Sequence, residues 1–268
     1  MPITINNQKF DFEKNDTILK VCKKNGIEIP TLCAHLDLVP EGRCRICIVE
    51  ANGKIVTSCD TLAEENMEIV TENEKIKNHI KLMLELMIAN SDDILDGTDN
   101  EINKLAKKYN VKSSRFNKSS VDKSRFDSER YKKTYKNTLK FDNNKCINCG
   151  RCVQKCQIIQ EVFAIGYEGR SFDTCITPYL RKELTDTVCV LCGQCSLSCP
   201  TGAIADDEVS TKILEAIKDP KKHVIVQPAP SIRASIGEMQ GLPVGTKVTY
   251  KLVTALKKLG FDKVVDTD

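Results

Sequence analysis

Two cysteine runs constrain this chain most, CINCGRCVQKC at 146–156 and CVLCGQCSLSC at 189–199. Each spaces four thiols as C-x2-C-x2-C-x3-C. In that spacing three close thiolates cap three corners of an iron-sulfur cubane, and the fourth reaches the other cubane. Cys146, Cys149, Cys152 and Cys199 are therefore expected to hold one [4Fe–4S] cluster, and Cys156, Cys189, Cys192 and Cys195 a second. Pro200 follows the second run, while Gln157 stands at the matching place in the first, which alters the turn but removes no ligand. The runs lie about 43 residues apart, with helical segments expected between them, and form a weak internal repeat.

A third set, Cys33, Cys44, Cys47 and Cys59, is spaced C-x10-C-x2-C-x11-C. A [2Fe–2S] cluster needs two thiolates on each iron, which a long loop with three cysteines and a distant fourth can supply. Structural zinc would accept four thiolates too, but its usual signature is two separated C-x2-C pairs. His35 is read as a loop histidine, because four cysteines already complete the set. Two of the fourteen cysteines remain. Cys22 falls on the apolar side of a helical segment and reads as a small buried hydrophobe, and Cys175 has no cysteine or histidine close in sequence.

The N-terminus lacks the basic start and apolar stretch of a secretory signal, and no segment has the roughly 18 uninterrupted apolar residues of a membrane helix. A cytoplasmic protein is expected, where thiols stay reduced and cysteines serve metals rather than disulfides. The balance of 40 Lys+Arg against 37 Asp+Glu gives no footprint for nucleic acid or an acidic membrane surface.

The opening ITINNQKFDF alternates apolar and polar residues around Asn6-Asn7, the pattern of a hairpin. Asp16-Thr17 then precedes a short amphipathic helix stopped near Gly26 and Pro30. EKIKNHIKLMLELMIAN places Ile76, Ile80, Met83, Leu84, Met87 and Ile88 on one helical stripe. A second short helical pattern falls within 91–110. Residues 111–140 carry ten Lys/Arg against three Asp/Glu and read as a solvated connector. Further on, HVIVQP is expected to be a buried strand, SIRASIGEM a short helix, and TKVTYKLVTALKKLG a helix with Thr246 as N-cap and Gly260 past its end. Val264 and Val265 begin another strand.

The order of these sites resembles the N-terminal half of multi-cluster [FeFe]-hydrogenase subunits, whose first part is shared with the large iron-sulfur subunit of respiratory complex I. Beside the cysteines, the resemblance rests on CDTLAEENMEI, LELMIAN, CGRC, CGQC, and the stretch VQPAPSIRASIGEMQGLPVGTKVT with LKKLGFDKVVDTD. It implies an α+β chain in four parts. These are a ubiquitin-like [2Fe–2S] ferredoxin domain (1–72), a helix and connector (73–140), a bacterial 2[4Fe–4S] ferredoxin-like domain (141–210) and a truncated α/β remnant of the hydrogenase catalytic domain (211–268).

Two departures bear on function. The resemblance implies a further cluster, held by one histidine and three cysteines after LELMIAN, but Ser91, Leu95, Thr98 and Lys104 stand at those places. None of the four is an ordinary iron ligand, so that cluster is expected to be absent. After Cys199 only His223 is a soft-metal ligand, so the hydrogen-activating cluster has no ligands here either.

The expectation is an electron-transfer subunit with one [2Fe–2S] and two [4Fe–4S] clusters and no catalytic residue of its own, in a complex that would be anaerobic. The resemblance implies as partners a flavin- and NAD(P)-binding iron-sulfur subunit, a small [2Fe–2S] subunit and a catalytic subunit such as a formate dehydrogenase. Ferredoxin is a further carrier, and such complexes sometimes bifurcate electrons. The competing readings are an N-terminal fragment of an [FeFe]-hydrogenase and an iron-sulfur redox sensor. No output module supports the sensor.

Overall fold

The computed structural model describes residues 1–91, 94–116, 139–170, 174–206 and 209–267. Most of the basic connector expected over 111–140 lies outside them. The chain forms two compact units, residues 1–207 and 208–268.

In the first unit, β1 (Pro2–Ile5) and β2 (Gln8–Asp11) form the expected hairpin. Asn6 and Asn7 turn it at φ 49° and 67°, the left-handed backbone that asparagine tolerates in a two-residue turn. Next, α1 (Ile18–Lys24) starts at Thr17, whose side chain accepts the Lys20 amide. The strands β3 (Ile48–Ala51), β4 (Lys54–Thr57) and β5 (Glu68–Val70) complete a sheet of order β2-β1-β5-β3-β4. Only the β1–β5 pairing is parallel. Ile3, Ile5, Val49 and Ile69 of this mixed sheet share a core with Ile18, Val21 and Cys22 of α1. Burying that shared apolar face holds helix and sheet together. The long stretch between α1 and β3 carries three cysteines, and β4 leads into Cys59.

The helix α2 (Glu74–Ala89) is capped by Asn73, whose side chain accepts the Ile76 amide at 2.8 Å. Its stripe Ile76, Ile80 and Leu84 is at most 1% exposed, and Met83, Met87 and Ile88 are partly buried beside it. The shorter α3 (Glu101–Lys108), capped by Asn100, buries Ile102 and Ala106.

The rest of this unit is built from short elements. β6 (Leu139–Phe141) is followed by α4 (Arg151–Gln154), which widens into a π turn over Lys155–Ile159. Then come β7 (Ile165–Glu168), β8 (Cys175–Pro178), α5 (Gln194–Leu197) and β9 (Ile204–Asp206). β6 pairs with β9 and β7 with β8, both antiparallel. The internal repeat is visible: each cysteine run turns through a left-handed glycine, Gly150 or Gly193, into a one-turn helix. The segment between the runs departs from the helical expectation. Among the described residues it holds the paired strands β7 and β8 and single 3-10 turns at Tyr179–Arg181 and Leu184–Asp186, with Cys175 to Pro178 all buried in strand pairing.

The second unit contains α6 (Ser210–Lys218), β10 (Ile225–Val226), α7 (Ile232–Met239), α8 (Thr249–Leu259) and β11 (Lys263–Val264). β10 and β11 pair in parallel. The expected buried strand at 223–228 is only two residues long, with Ile225 54% exposed, since β11 is its one partner among the described residues. Thr246 does not cap α8. Its hydroxyl donates to Pro243 O at 2.6 Å, and Val248 occupies the cap position. Gly260 ends the helix at φ 107°, as expected.

Candidate iron-sulfur sites

The fold gathers the candidate ligands into three groups. Cys33, Cys44, Cys47 and Cys59 are each at most 5% exposed. The Cys33 amide donates to Cys44 Sγ at 3.4 Å. The Ser58 amide and hydroxyl both donate to Cys47 O, at 2.9 and 2.7 Å, which holds Cys59 beside Cys47. The Leu19 amide of α1 donates to Ser58 O at 2.8 Å, so the helix start positions the fourth thiol. The thiols interact directly. Hydrogen bonds from Cys44 and then Cys59 push Cys33 far below the usual thiol range, while Cys33 pushes both of those upward.

Cys146, Cys149, Cys152 and Cys199 line one small cavity, walled by Phe141, Ile147, Ile176 and Ile204 among others. Cys156, Cys189, Cys192 and Cys195 line a second, with Leu139, Ile165 and Leu184 among its walls. Backbone amides point at the sulfurs in a repeated pattern. Asn148 N donates to Cys146 Sγ at 3.4 Å and Leu191 N to Cys189 Sγ at 3.4 Å. Ala164 N donates to Cys156 Sγ at 3.2 Å and Ile204 N to Cys199 Sγ at 3.4 Å. Asn148 and Leu191 both take φ 53°, so the repeat extends to backbone conformation.

Burial pushes the Cys149 and Cys195 thiols up to about 12, and Cys146 and Cys152 higher. A desolvated thiol stays protonated until a cation replaces the proton, and iron does this when it binds. Cys146, Cys149 and Cys152 around the first cavity, together with Cys199 and with amide dipoles aimed at sulfur, fit a cubane cluster. The two groups differ in depth: Cys149 and Cys152 are 7% and 5% exposed, whereas Cys192 is exposed.

The remaining candidates lie outside these groups. Cys22 is wholly buried in the sheet core, and burial pushes it up to about 11, the state of a neutral small hydrophobe. Cys175 is buried in β8, close enough to act electrostatically on Cys146. The His35 imidazole accepts the Asp37 amide at 3.5 Å, and burial, followed by Arg151 and Lys155, lowers its pKa. Ser91 and Leu95 are buried or half-buried, while Lys104 pairs with Asp99 at the surface at 2.9 Å.

Sequence reasoning missed the charged residues between the ligands. Arg151 is 2% exposed, and its guanidinium donates to Ala34 O at 3.0 Å and to Glu101 Oε1 and Oε2 at 2.6 and 2.9 Å. Gln154 exchanges two hydrogen bonds with the Val39 backbone, at 2.9 and 3.0 Å, and Lys155 reaches Asp37 at 2.8 Å. The loop carrying Cys33 and Cys44 is thereby fastened to α4, which carries Cys152. Cys33, Cys44 and Cys149 share one hydrophobic cluster with Ile76, Ile80 and Leu84 of α2. One pocket is lined by both Cys44 and Cys146. The available signal was the pair of charges inside CGRCVQKC, a segment that must lie against a cluster.

Known proteins repeat this order. Residues 1–74 match the 2Fe-2S iron-sulfur cluster binding domain, 139–158 and 185–205 the 4Fe-4S binding domain, and 222–268 the iron only hydrogenase large subunit, C-terminal domain. The NADP-reducing hydrogenase subunit HndD of Solidesulfovibrio fructosivorans is 34% identical over 100% of this chain and 46% of its own length. Iron hydrogenase 1 of Clostridium pasteurianum is 38% identical over 98% of this chain and 46% of its own. The chain thus spans about half the length of these relatives. A crystal structure of an NAD+-reducing [NiFe]-hydrogenase in the H2-reduced state superimposes with a TM-score of 0.64 and 25% identity, covering 77% of this chain and 87% of that one. This chain is accordingly an iron-sulfur protein related to the N-terminal half of iron-only hydrogenase subunits, joining 2Fe-2S and 4Fe-4S binding domains to a segment of the C-terminal domain of the hydrogenase large subunit.

Proposed function

We propose that this chain is an electron-transfer subunit of an NAD(P)-linked oxidoreductase complex, relaying single electrons between a flavin- and NAD(P)-binding subunit and a partner redox site such as a formate dehydrogenase. Cys33, Cys44, Cys47 and Cys59 would hold a [2Fe–2S] cluster. Cys146, Cys149, Cys152 and Cys199 would hold one [4Fe–4S] cluster, and Cys156, Cys189, Cys192 and Cys195 the other. The observation carrying this reading is the grouping of twelve cysteines, drawn from positions up to 53 residues apart within one set, around three sites in one compact unit. When bound, the clusters supply one-electron chemistry. The protein's own work is to exclude water, fix spacing and set potential through hydrogen bonds to sulfur.

The [2Fe–2S] cluster feeds the deeper cubane directly in this reading. Support comes from the hydrophobic cluster shared by Cys33, Cys44 and Cys149, and from the pocket lined by both Cys44 and Cys146. Electrons would leave through the second cubane, where Cys192 is exposed among Val188, Val190 and Leu197, which are 65–78% exposed. Replacing Cys44 and Cys47 together with Ser tests the route. The double variant should lose the [2Fe–2S] spectrum, keep both cubanes and stop turnover of the purified complex; unchanged turnover with every electron donor would take this cluster off the path.

The complex itself is tested by anaerobic native mass spectrometry of the protein from its own host. Flavoprotein and dehydrogenase subunits should accompany a chain near 30.0 kDa. A longer polypeptide carrying additional iron would instead identify the front half of a hydrogenase, a reading favoured by the match over 222–268.

A further inference from the structure

We propose that residues 96–102, at the place where the resemblance implies a lost cluster, act as a positioning brace for the Cys146/Cys149/Cys152/Cys199 site and set its reduction potential through the Glu101–Arg151 pair. The inference rests on the ligand assignment above.

The segment is a polar knot that grips the site at three points. Asp96 Oδ1 accepts from Thr98 N, Thr98 Oγ1 and Asn103 Nδ2 at 3.0, 2.6 and 3.0 Å. Asp96 Oδ2 accepts from Lys145 Nζ at 2.6 Å, and Lys145 directly precedes Cys146. Asn100 Nδ2 donates to Thr201 O at 3.2 Å and Ile102 N to Pro200 O at 3.1 Å, the two residues after Cys199. Glu101 takes both terminal nitrogens of Arg151, the residue before Cys152. Three of the four ligands thus have a neighbour in sequence held by this one short segment. Burial alone would raise the Asp96 carboxyl, but Lys145, Thr98 and Asn103 outweigh it and keep it ionised.

Arg151 gives the brace its electrical role. Its buried guanidinium donates to the carbonyl of Ala34, the residue after Cys33, and Arg151 directly precedes Cys152, while its Nε has no hydrogen-bond partner among the described residues. A buried cation beside a cluster stabilises the reduced form, which carries one more negative charge, and the Glu101 carboxylate offsets that cation. Glu101 therefore holds the potential down, and its removal should raise it. Asp96 acts in the same sense through Lys145, more weakly because Lys145 is 23% exposed where Arg151 is 2%, although Glu101 itself is 47% exposed and Asp96 20%.

The test is an EPR-monitored redox titration of the anaerobically purified holoprotein, with iron and acid-labile sulfide measured alongside. Glu101→Gln should raise the reduction equilibrium of the deeper cubane about tenfold, a positive shift of about 59 mV for one electron. Asp96→Asn should shift it the same way by less, and Glu101→Asp should restore the wild-type value. Asp99→Asn removes the same charge from a surface pair whose carboxylate is 87% exposed, and should shift nothing. If Glu101→Gln loses its cubane, Asp96→Asn still decides the matter by its potential. An unshifted cubane in the Glu101 and Asp96 variants, or equal shifts in Asp99→Asn, would overturn the brace. Cys146→Ser separates the two levels: a titrating signal untouched by that change would refute the ligand assignment instead.

Discussion

Asp16 ties the chain entering α1 to the loop that presents Cys59, and its replacement gives a measurable prediction. The carboxylate is 1% exposed, lies 2.7 Å from Lys20 and 3.0 Å from Lys24, and accepts the Glu13 amide at 3.2 Å. Its own carbonyl accepts the Ala63 amide at 2.8 Å. The Lys20 hydrogen bond, working against burial and helped by Lys24, lowers its pKa from 3.8 to about 2. At about 1.4 kcal/mol per unit, the shift caps the contribution near about 2.5 kcal/mol. The lysines are 59% and 41% exposed, and solvent screening reduces the figure to about 1 kcal/mol.

Asp16→Asn should therefore lower the melting temperature of the cluster-loaded protein by about 2–4 °C, the scale for a unit of roughly two hundred residues. The folded-state pKa is depressed, so the stabilisation is fully present above about pH 4 and is lost as pH falls towards 2. The gap between wild type and variant, read by anaerobic circular dichroism, should stay constant from pH 5.5 to 8. Equal melting at pH 7, or a gap that closes as pH rises, would refute the assignment of the shift to an ionised Asp16.

Two further predictions concern the cubane sites. Gly150 and Gly193 both need positive φ, at 83° and 75°, but a Cβ at Gly150 would also collide with the Tyr167 hydroxyl and Glu41, while one at Gly193 meets only Ser196 Oγ at 3.9 Å. Gly193→Ala should cost about 1 kcal/mol and Gly150→Ala somewhat more, since the Tyr167 hydroxyl and Glu41 carboxylate must swing aside, measured by anaerobic denaturant titration. Brief air exposure should strip iron from the Cys192 site before the site of Cys149 and Cys152, since solvent reaches the first and is excluded from the second; simultaneous loss of both EPR signals would contradict this.

How much is legible in the sequence depends on the range of the interactions. The hairpin at Asn6-Asn7, the helix starting after Asp16-Thr17 and the stripe of α2 follow from turn chemistry and periodicity over a few residues, and the structure contains all three. The strands between the cysteine runs read as helical in sequence because a short apolar stretch such as Cys175–Pro178 has no period of its own; pairing with β7 decides its conformation. Thr246 suits a cap by residue type alone, but the chain turns through Pro243 to Thr246 before α8 begins.

The sequence by itself determined the cofactor chemistry, because ligand type and close spacing are local properties and few other uses exist for two C-x2-C-x2-C-x3-C runs. Tertiary structure decided which cysteine group is deep and which is exposed, and which residues stand between the groups. Arg151 meets Glu101 from 50 residues away and Ala34 from 117. No local pattern encodes such a meeting, since it arises only when packing of α2 and α3 against the cysteine loops brings these segments together.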